Sequence, residues 1–174
     1  RQFVYDEKKT TMETLIDALK NNWQGHEALR ADIRKNGRFF GNNDEYSESV
    51  AISVTNALHE IISPLSEEFG HKLLVGCFEG YNPHSTWFGA ATPATPDGRK
   101  RGDPFMIGIG QWHGLDKNGL TSLLLSVAHM DPSKILTGSL VFNVALDPSM
   151  IQNDEKFLKT AALFETFLNE GGVQ

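Results

Sequence analysis

Ala94-Thr95-Pro96-Asp97-Gly98-Arg99 is the stretch on which the reading of this chain turns. Pro96 pre-sets φ for the second position of a turn, Asp97 tolerates the third, and Gly98 supplies a positive φ. Arg99 leaves the turn with a carboxylate or a backbone carbonyl as its expected partner. Downstream, Gly114-Leu115-Asp116-Lys117-Asn118-Gly119-Leu120-Thr121 is a glycine-punctuated loop that opens a helix. Upstream, Gly41-Asn42-Asn43-Asp44 precedes another helix. Each motif is common by itself, and the information lies in their order.

The segments between these landmarks alternate in character. Thr10 or Thr11 caps a helix with Met12, Leu15, Ile16 and Leu19 on one side. A second short helix runs from His26 to Lys35 and stops at Asn36-Gly37. A third, longer one takes Asn42 or Asn43 as its N-cap, with Asp44 and Glu45 in the first turn. Its apolar face is Val50, Val54, Ala57, Leu58, Ile61 and Ile62, and Pro64 ends it. Leu73-Leu74-Val75-Gly76-Cys77-Phe78 reads as a buried strand, and Phe105-Met106-Ile107-Gly108-Ile109 as a weaker one. The Gly-, Pro-, Ser- and Thr-rich stretch from Gly80 to Pro104 reads as loop and turn, long enough to be functional or docked. Thr121 to Met130 forms a helix with Leu124, Val127 and Ala128 inside. Ser139 to Leu146 is the best strand, closed by Asp147-Pro148. Asp154 to Asn169 is an amphipathic helix with the stripe Phe157, Ala161, Phe164 and Leu168, capped by Gly171-Gly172. The chain therefore reads as one segment over 1–174, helical over 1–70 and mixed strand, loop and helix over 71–174. Its class is α/β, with about three strands whose unpaired edges need partners.

Composition narrows the function classes. A chain of 174 residues with 40% hydrophobic content holds one ordinary core. Net charge is −6, with acidic and basic residues interspersed, which leaves no footprint for nucleic acid or an anionic membrane. The run Arg99-Lys100-Arg101 reads as a solvated turn. One cysteine rules out an internal disulfide and suits a reducing cytoplasm. No apolar run approaches the roughly 18 residues of a membrane span. The start at Arg1 carries no signal peptide and is expected to reflect processing or fragmentation. Six histidines include no pair spaced i, i+4, so no metal site is expected. Neither a Gly-x-Ser-x-Gly elbow nor a Walker A loop occurs, and Gly108-Ile109-Gly110 only approaches a dinucleotide fingerprint. Cys77 lies next but one to Glu79, yet its apolar flanks predict an inert strand thiol.

Taken in order, Gly41 to Asp44, Gly89 to Arg99, Gly114 to Thr121, Ser126-Val127, Asn143, Pro148 and Gly171-Gly172-Val173-Gln174 resemble the glycyl radical enzymes, the pyruvate formate-lyase-like group. The resemblance covers about the whole chain. It implies that Gly41, Asn42, Thr95, Pro96, Asp97, Gly98, Arg99, Gly114, Asp116, Gly119 and Thr121 are structural motif positions. It implies a ten-stranded α/β barrel of two half-barrels, with this segment part of the second half and incomplete on its own. The segment would end immediately before the C-terminal glycyl radical domain.

The activity implied is that of a lyase or dehydratase in which a thiyl radical abstracts hydrogen from the substrate. A glycine stores the radical, and a radical S-adenosylmethionine activase installs it; no cofactor is bound directly. The implied partners are a small-molecule substrate, the activating enzyme and the remainder of the barrel, in a cytoplasmic parent of homodimeric type, with no nucleic acid and no membrane. The family's Arg-Val-x-Gly-Tyr motif is not in these residues. Its Gly-Cys-x-Glu loop precedes the Gly-Asn segment, whereas Cys77 follows it, so no catalytic residue is expected here and the chain alone is expected to be inactive.

The chain departs from the family pattern at Asn43, Gly110-Gln111, Leu120, Asp147, and a strand-like Pro83-His84-Ser85-Thr86-Trp87-Phe88 before Gly89, and the resemblance implies that several of these positions face the barrel interior. By position, the substrate-pocket candidates are His84, Ser85, Trp87, Gln111, Trp112 and His113. The competing reading is a free-standing or degenerate interaction module of the same fold, completed in trans by a glycyl radical partner. An unrelated α/β domain sharing only turn chemistry is the third.

Overall fold

A computed structural model describes residues 1–74, 76–77, 82–110, 112, 114–131 and 139–172. These fall into two compact units. The first joins Arg1–Arg38 with Tyr81–Met106, and the second joins Phe39–Gly80 with Ile107–Gln174.

The first unit opens with a π-helical turn, Gln2–Asp6, followed by α1 (Met12–Lys20) and α2 (Glu27–Asn36). Thr11 caps α1: its hydroxyl accepts from the Thr14 N–H at 3.1 Å, satisfying one of the free donors of the first turn. Glu13 and Lys20 sit at the ends that the helix dipole favours. The side expected to face inward is only half covered, since Met12 and Ile16 are exposed while Leu15 and Leu19 are half-buried. Trp23, held at φ 67° where an aromatic residue is strained, is fully buried and donates its indole N–H to the Arg99 carbonyl at 3.2 Å.

The same unit contains α4 (Asn82–Ala91), in the stretch expected to be loop or strand. Pro83 stands in the first turn, where its missing N–H costs nothing. At the other end, cations from the following turn supply the carbonyl partners that the composition does not advertise.

In the second unit, α3 (Glu45–Glu68) is capped by Asp44, whose carboxylate accepts from the Ser47 N–H at 3.0 Å. Asn42 and Asn43 are not the cap, because Asn42 is engaged elsewhere and Asn43 takes a left-handed φ of 52°. Pro64 lies inside α3 and does not end it. Among the side chains it half-buries are Ala51, Ile52, Thr55, His59, Ile62 and Leu65. Of the face expected to be inner, Val50, Val54, Leu58 and Ile61 are exposed.

Beyond it, β1 (Gly76–Cys77) pairs in parallel with β2 (Ser139–Leu140), Gly76 opposite Ser139 and Cys77 opposite Leu140. Both strands are shorter than expected. The surroundings of the Cys77 side chain, with Val75 and Phe78, lie outside the described residues. Phe105–Ile109 is no strand: Gly108 turns to φ 66°, and only the Ile109 N–H reaches the Val141 carbonyl, at 2.9 Å. A Cβ at Gly108 would stand 2.1 Å from that carbonyl oxygen.

The core of this unit forms where α5 (Gly119–His129) meets α6 (Asp154–Asn169). Ile109, Leu124, Val127, Ala128, Met130 and Phe167 are buried, and the Phe142 and Phe167 rings meet at 6.0 Å. The inward stripe of α6 is Thr160, Leu163, Phe164 and Phe167, so the expected Phe157, Ala161 and Leu168 lie outside it. Asn153 caps α6, and Gly171 at φ 109° ends it, with the Gly172 N–H returning to the Phe167 carbonyl at 2.8 Å. A 3-10 turn, Pro148–Ile151, precedes α6.

Candidate functional site

The landmark residues assemble into two hydrogen-bonded clusters, one in each unit. In the first, the Gly98 N–H closes a turn on the Thr95 carbonyl at 3.0 Å, with Pro96 and Asp97 at the corners. The Asp97 carboxylate accepts from the Thr95 hydroxyl and from the Arg99 N–H. Gly98 sits at φ 93°, its carbonyl takes the Arg30 Nε–H at 2.7 Å, and a Cβ there would stand 2.8 Å from Arg34 Cγ. Arg99 itself turns inward. Its guanidinium donates to the carbonyls of Gly89, Thr92, Pro93, Lys100 and Asp103, so of the two expected kinds of partner it takes the carbonyl.

Asn42 organises the second cluster. Its amide donates to the carbonyls of Phe39 at 3.0 Å and Leu115 at 2.9 Å, and its side-chain oxygen accepts the N–H groups of Lys117 and Asn118. The Asn118 amide answers by donating to the Asn42 carbonyl at 2.9 Å. The Gly41–Asn42 corner is thereby stapled to the loop before α5, in which Gly114 and Gly119 both take positive φ. Asp116 and Thr121 are exposed on that loop and on the first turn of α5.

A third group was not singled out by the sequence reading. Glu48, buried on the first turn of α3, accepts from the Ser126 hydroxyl at 2.6 Å and lies 3.1 Å from His129 Nδ1. The Ser126 hydroxyl also accepts the Asn43 N–H at 2.9 Å. A serine, an acid and a histidine suggest acyl transfer, but the order is wrong: the carboxylate, not the imidazole, touches the hydroxyl, and Ser126 is fully buried. The group is a tie between α3 and α5. The signal for it was Ser126 itself, a hydroxyl among Leu124, Val127 and Ala128 on an inward face.

Three of the pocket candidates lie on α4. Ser85 is buried, His84 is half-buried, and Trp87 is exposed; the His84 ring lies 5.7 Å from Trp87 and 6.0 Å from Phe88. Trp112 is half-buried in the second unit, and its carbonyl accepts the Leu115 N–H at 3.1 Å. Gln111 and His113 lie outside the described residues. Among the described residues no three His, Cys, Asp or Glu side chains gather to hold a metal, and no helix is long and apolar enough to cross a membrane.

Residues 1–79 match the family described as pyruvate formate lyase-like. Over 169 residues, 97% of the chain, it is 30% identical to trans-4-hydroxy-L-proline dehydratase of Clostridioides difficile. It is 27% identical, over 99% of its length, to the 4-hydroxyphenylacetate decarboxylase glycyl radical subunit of the same species. The glycerol-bound B12-independent glycerol dehydratase of Clostridium butyricum superposes on 98% of it with a TM-score of 0.88 at 26% identity, so the two share a fold over that stretch. In each case the match takes up 21% of the other protein: the chain spans about a fifth of the length of the relatives it matches.

Proposed function

That this chain is a segment of a glycyl radical enzyme of the pyruvate formate-lyase-like family is the premise from which we propose its role. It forms part of the second half-barrel of a radical lyase or dehydratase, and contributes one wall of the substrate pocket. The observation that carries the reading is how much large apolar surface the two units leave uncovered. Val54 is 56% exposed, Ile61 64%, Trp87 60% and Leu158 65%. Isolated exposed apolar residues are ordinary, but helical strips of them mark surfaces that something else covers. The remainder of the barrel is the natural cover.

The parent's stored glycyl radical and thiyl cysteine supply the hydrogen abstraction; this chain's own residues bind and orient. On α4, the Trp87 and His84 rings, tilted to each other by 54°, offer aromatic surface that excludes water beside a small polar substrate, with Ser85 buried on the same helix. Trp112, flanked in the sequence by Gln111 and His113, is an alternative candidate to α4 for this role. The reading brings with it a radical S-adenosylmethionine activase, a parent of two subunits and a cytoplasmic setting. The 174 residues by themselves are inert.

The test is made on the protein at its native length, handled without oxygen, with an activase and S-adenosylmethionine. The expected result is an organic radical signal by electron paramagnetic resonance and turnover of a hydroxylated or sulfonated small molecule. Absence of a radical under conditions that activate a relative would overturn the enzymatic reading. The signal's appearance only after adding a separate small radical protein would favour the module completed in trans.

A further inference from the structure

We propose that Arg99 is the positioning residue of α4: by capping the C-terminal end of that helix, its guanidinium holds the wall of His84, Ser85 and Trp87 where the substrate needs it. The inference rests on the reading of α4 as a pocket wall.

A helix leaves its last carbonyls without partners, and the usual remedy is a left-handed glycine just past the end. Here α4 ends at Ala91 and the chain runs on through Thr92-Pro93. The Gly89 carbonyl accepts Arg99 Nη1 at 3.2 Å and the Gly102 N–H at 3.1 Å. The Ala90 carbonyl accepts Arg101 Nε at 3.3 Å. Arg99 Nη2 takes the carbonyls of Thr92 and Pro93, and Nη1 also holds those of Lys100 and Asp103. One planar fork therefore ties the end of the helix to the returning chain. A cation here also meets the negative end of the helix dipole.

The tie reaches back along the helix. The Arg99 guanidinium lies 4.2 Å from the centre of the Phe105 ring, and the Phe105 N–H donates to the Ser85 carbonyl at 3.1 Å. The loop thus holds α4 at its C-terminal end and again one turn into the helix, at Ser85. Contact is close: a Cβ on Gly89 would stand 2.3 Å from the Asp103 carbonyl oxygen, one of those that Arg99 holds.

Arg99 is 1% exposed, and among the described residues no carboxylate pairs with it and its Nε has no hydrogen-bond partner. Burying a cation without a counter-ion is costly, so the return on this residue is geometry rather than charge neutrality. Lysine keeps the charge but has no planar fork, and one ammonium cannot hold both limbs.

The experiment uses the native-length enzyme and three variants: Arg99→Lys, Phe105→Leu and Trp87→Ala. Amide exchange across residues 82–92 is read by mass spectrometry, and KM and kcat are read separately. In Arg99→Lys, exchange in that peptide should rise by about tenfold. KM should rise by about tenfold while kcat stays within about threefold. Phe105→Leu, a milder change, should move both readouts in the same direction and carries the test if Arg99→Lys does not accumulate folded. Unchanged exchange in the variant that folds would overturn the capping role. Faster exchange with an unchanged KM, where Trp87→Ala does raise KM, would overturn positioning alone. An unchanged KM in Trp87→Ala would remove the pocket-wall reading, and Arg99 would be left as a structural cap.

Discussion

Gly98 shows how much one residue of the opening motif is asked to do. Its φ of 93° suits glycine, and the space where a Cβ would sit is filled by Arg34. Gly98→Ala is expected to destabilise the protein by about 2 kcal/mol or more, combining strained backbone with a clash; a urea titration measures it. Asp147 makes a different kind of prediction. The hydroxyl of Ser149 and then its backbone N–H donate to this exposed carboxylate and lower its pKa from the ordinary value. A carboxyl whose folded pKa is depressed adds stability that is complete above its unfolded value, about 3.9. That contribution is lost as pH falls through the lower folded value. Asp147→Asn should therefore lose that contribution at neutral pH and flatten the acid limb of the stability curve below about pH 4, where variant and parent converge. A carboxyl resonance titrating at the ordinary value would refute it. The turn chemistry of both residues was legible in the sequence, since Pro-Asp-Gly and Asp-Pro fix local geometry with atoms close in the chain.

Among the elements, helix existence was easier to read than helix orientation. The ends of α1 and α2 are set by Thr11 and by Asn36-Gly37, local signals that the structure reproduces. The face of α3 was not legible. The helix carries apolar residues on more than one side, and periodicity finds the stripes without saying which one this segment buries. Its true anchor is Glu48, whose carboxylate joins Ser126 and His129 of α5. Glu48→Ala leaves the fully buried Ser126 hydroxyl without its acceptor and is expected to cost about 1–3 kcal/mol, read by thermal or chemical unfolding. Glu48→Gln, which still accepts from Ser126, should cost less. Equal losses in the two would show that the His129 contact, not the serine, is what matters. The helix α4 was missed for the opposite reason: a Gly-, Pro- and Ser-rich composition argues for a loop, and the cations that cap it come from beyond its own span.

At the scale of the whole molecule, the strip Val50, Val54, Leu58 and Ile61 on α3 is the clearest sign of a missing neighbour. Ile61→Glu separates two states of that strip. If the rest of a barrel covers it, the substitution should destabilise the native-length protein by about 2 kcal/mol or more, as burying an unpaired charge does. If the strip stays in water, the change should fall within about 0.5 kcal/mol. The parallel pairing of β1 with β2 belongs to this scale too. Parallel neighbours need a long crossover, and here the intervening chain includes α4 and α5. Among the described residues each strand has two, too few to stand as a sheet by themselves.

What the sequence determined alone was the order of landmarks, and with it the family, because turns, caps and glycine corners depend on residues a few positions apart. It also singled out Asn42 and Arg99, through the company they keep in those motifs. Only the tertiary structure decided what they hold: Asn42 reaches 76 residues along the chain to Asn118, and Arg99 folds back onto a helix that composition hides. Which apolar face is buried was likewise a tertiary decision. A helix shows its stripes in one dimension, but the partner that covers a stripe is chosen in three.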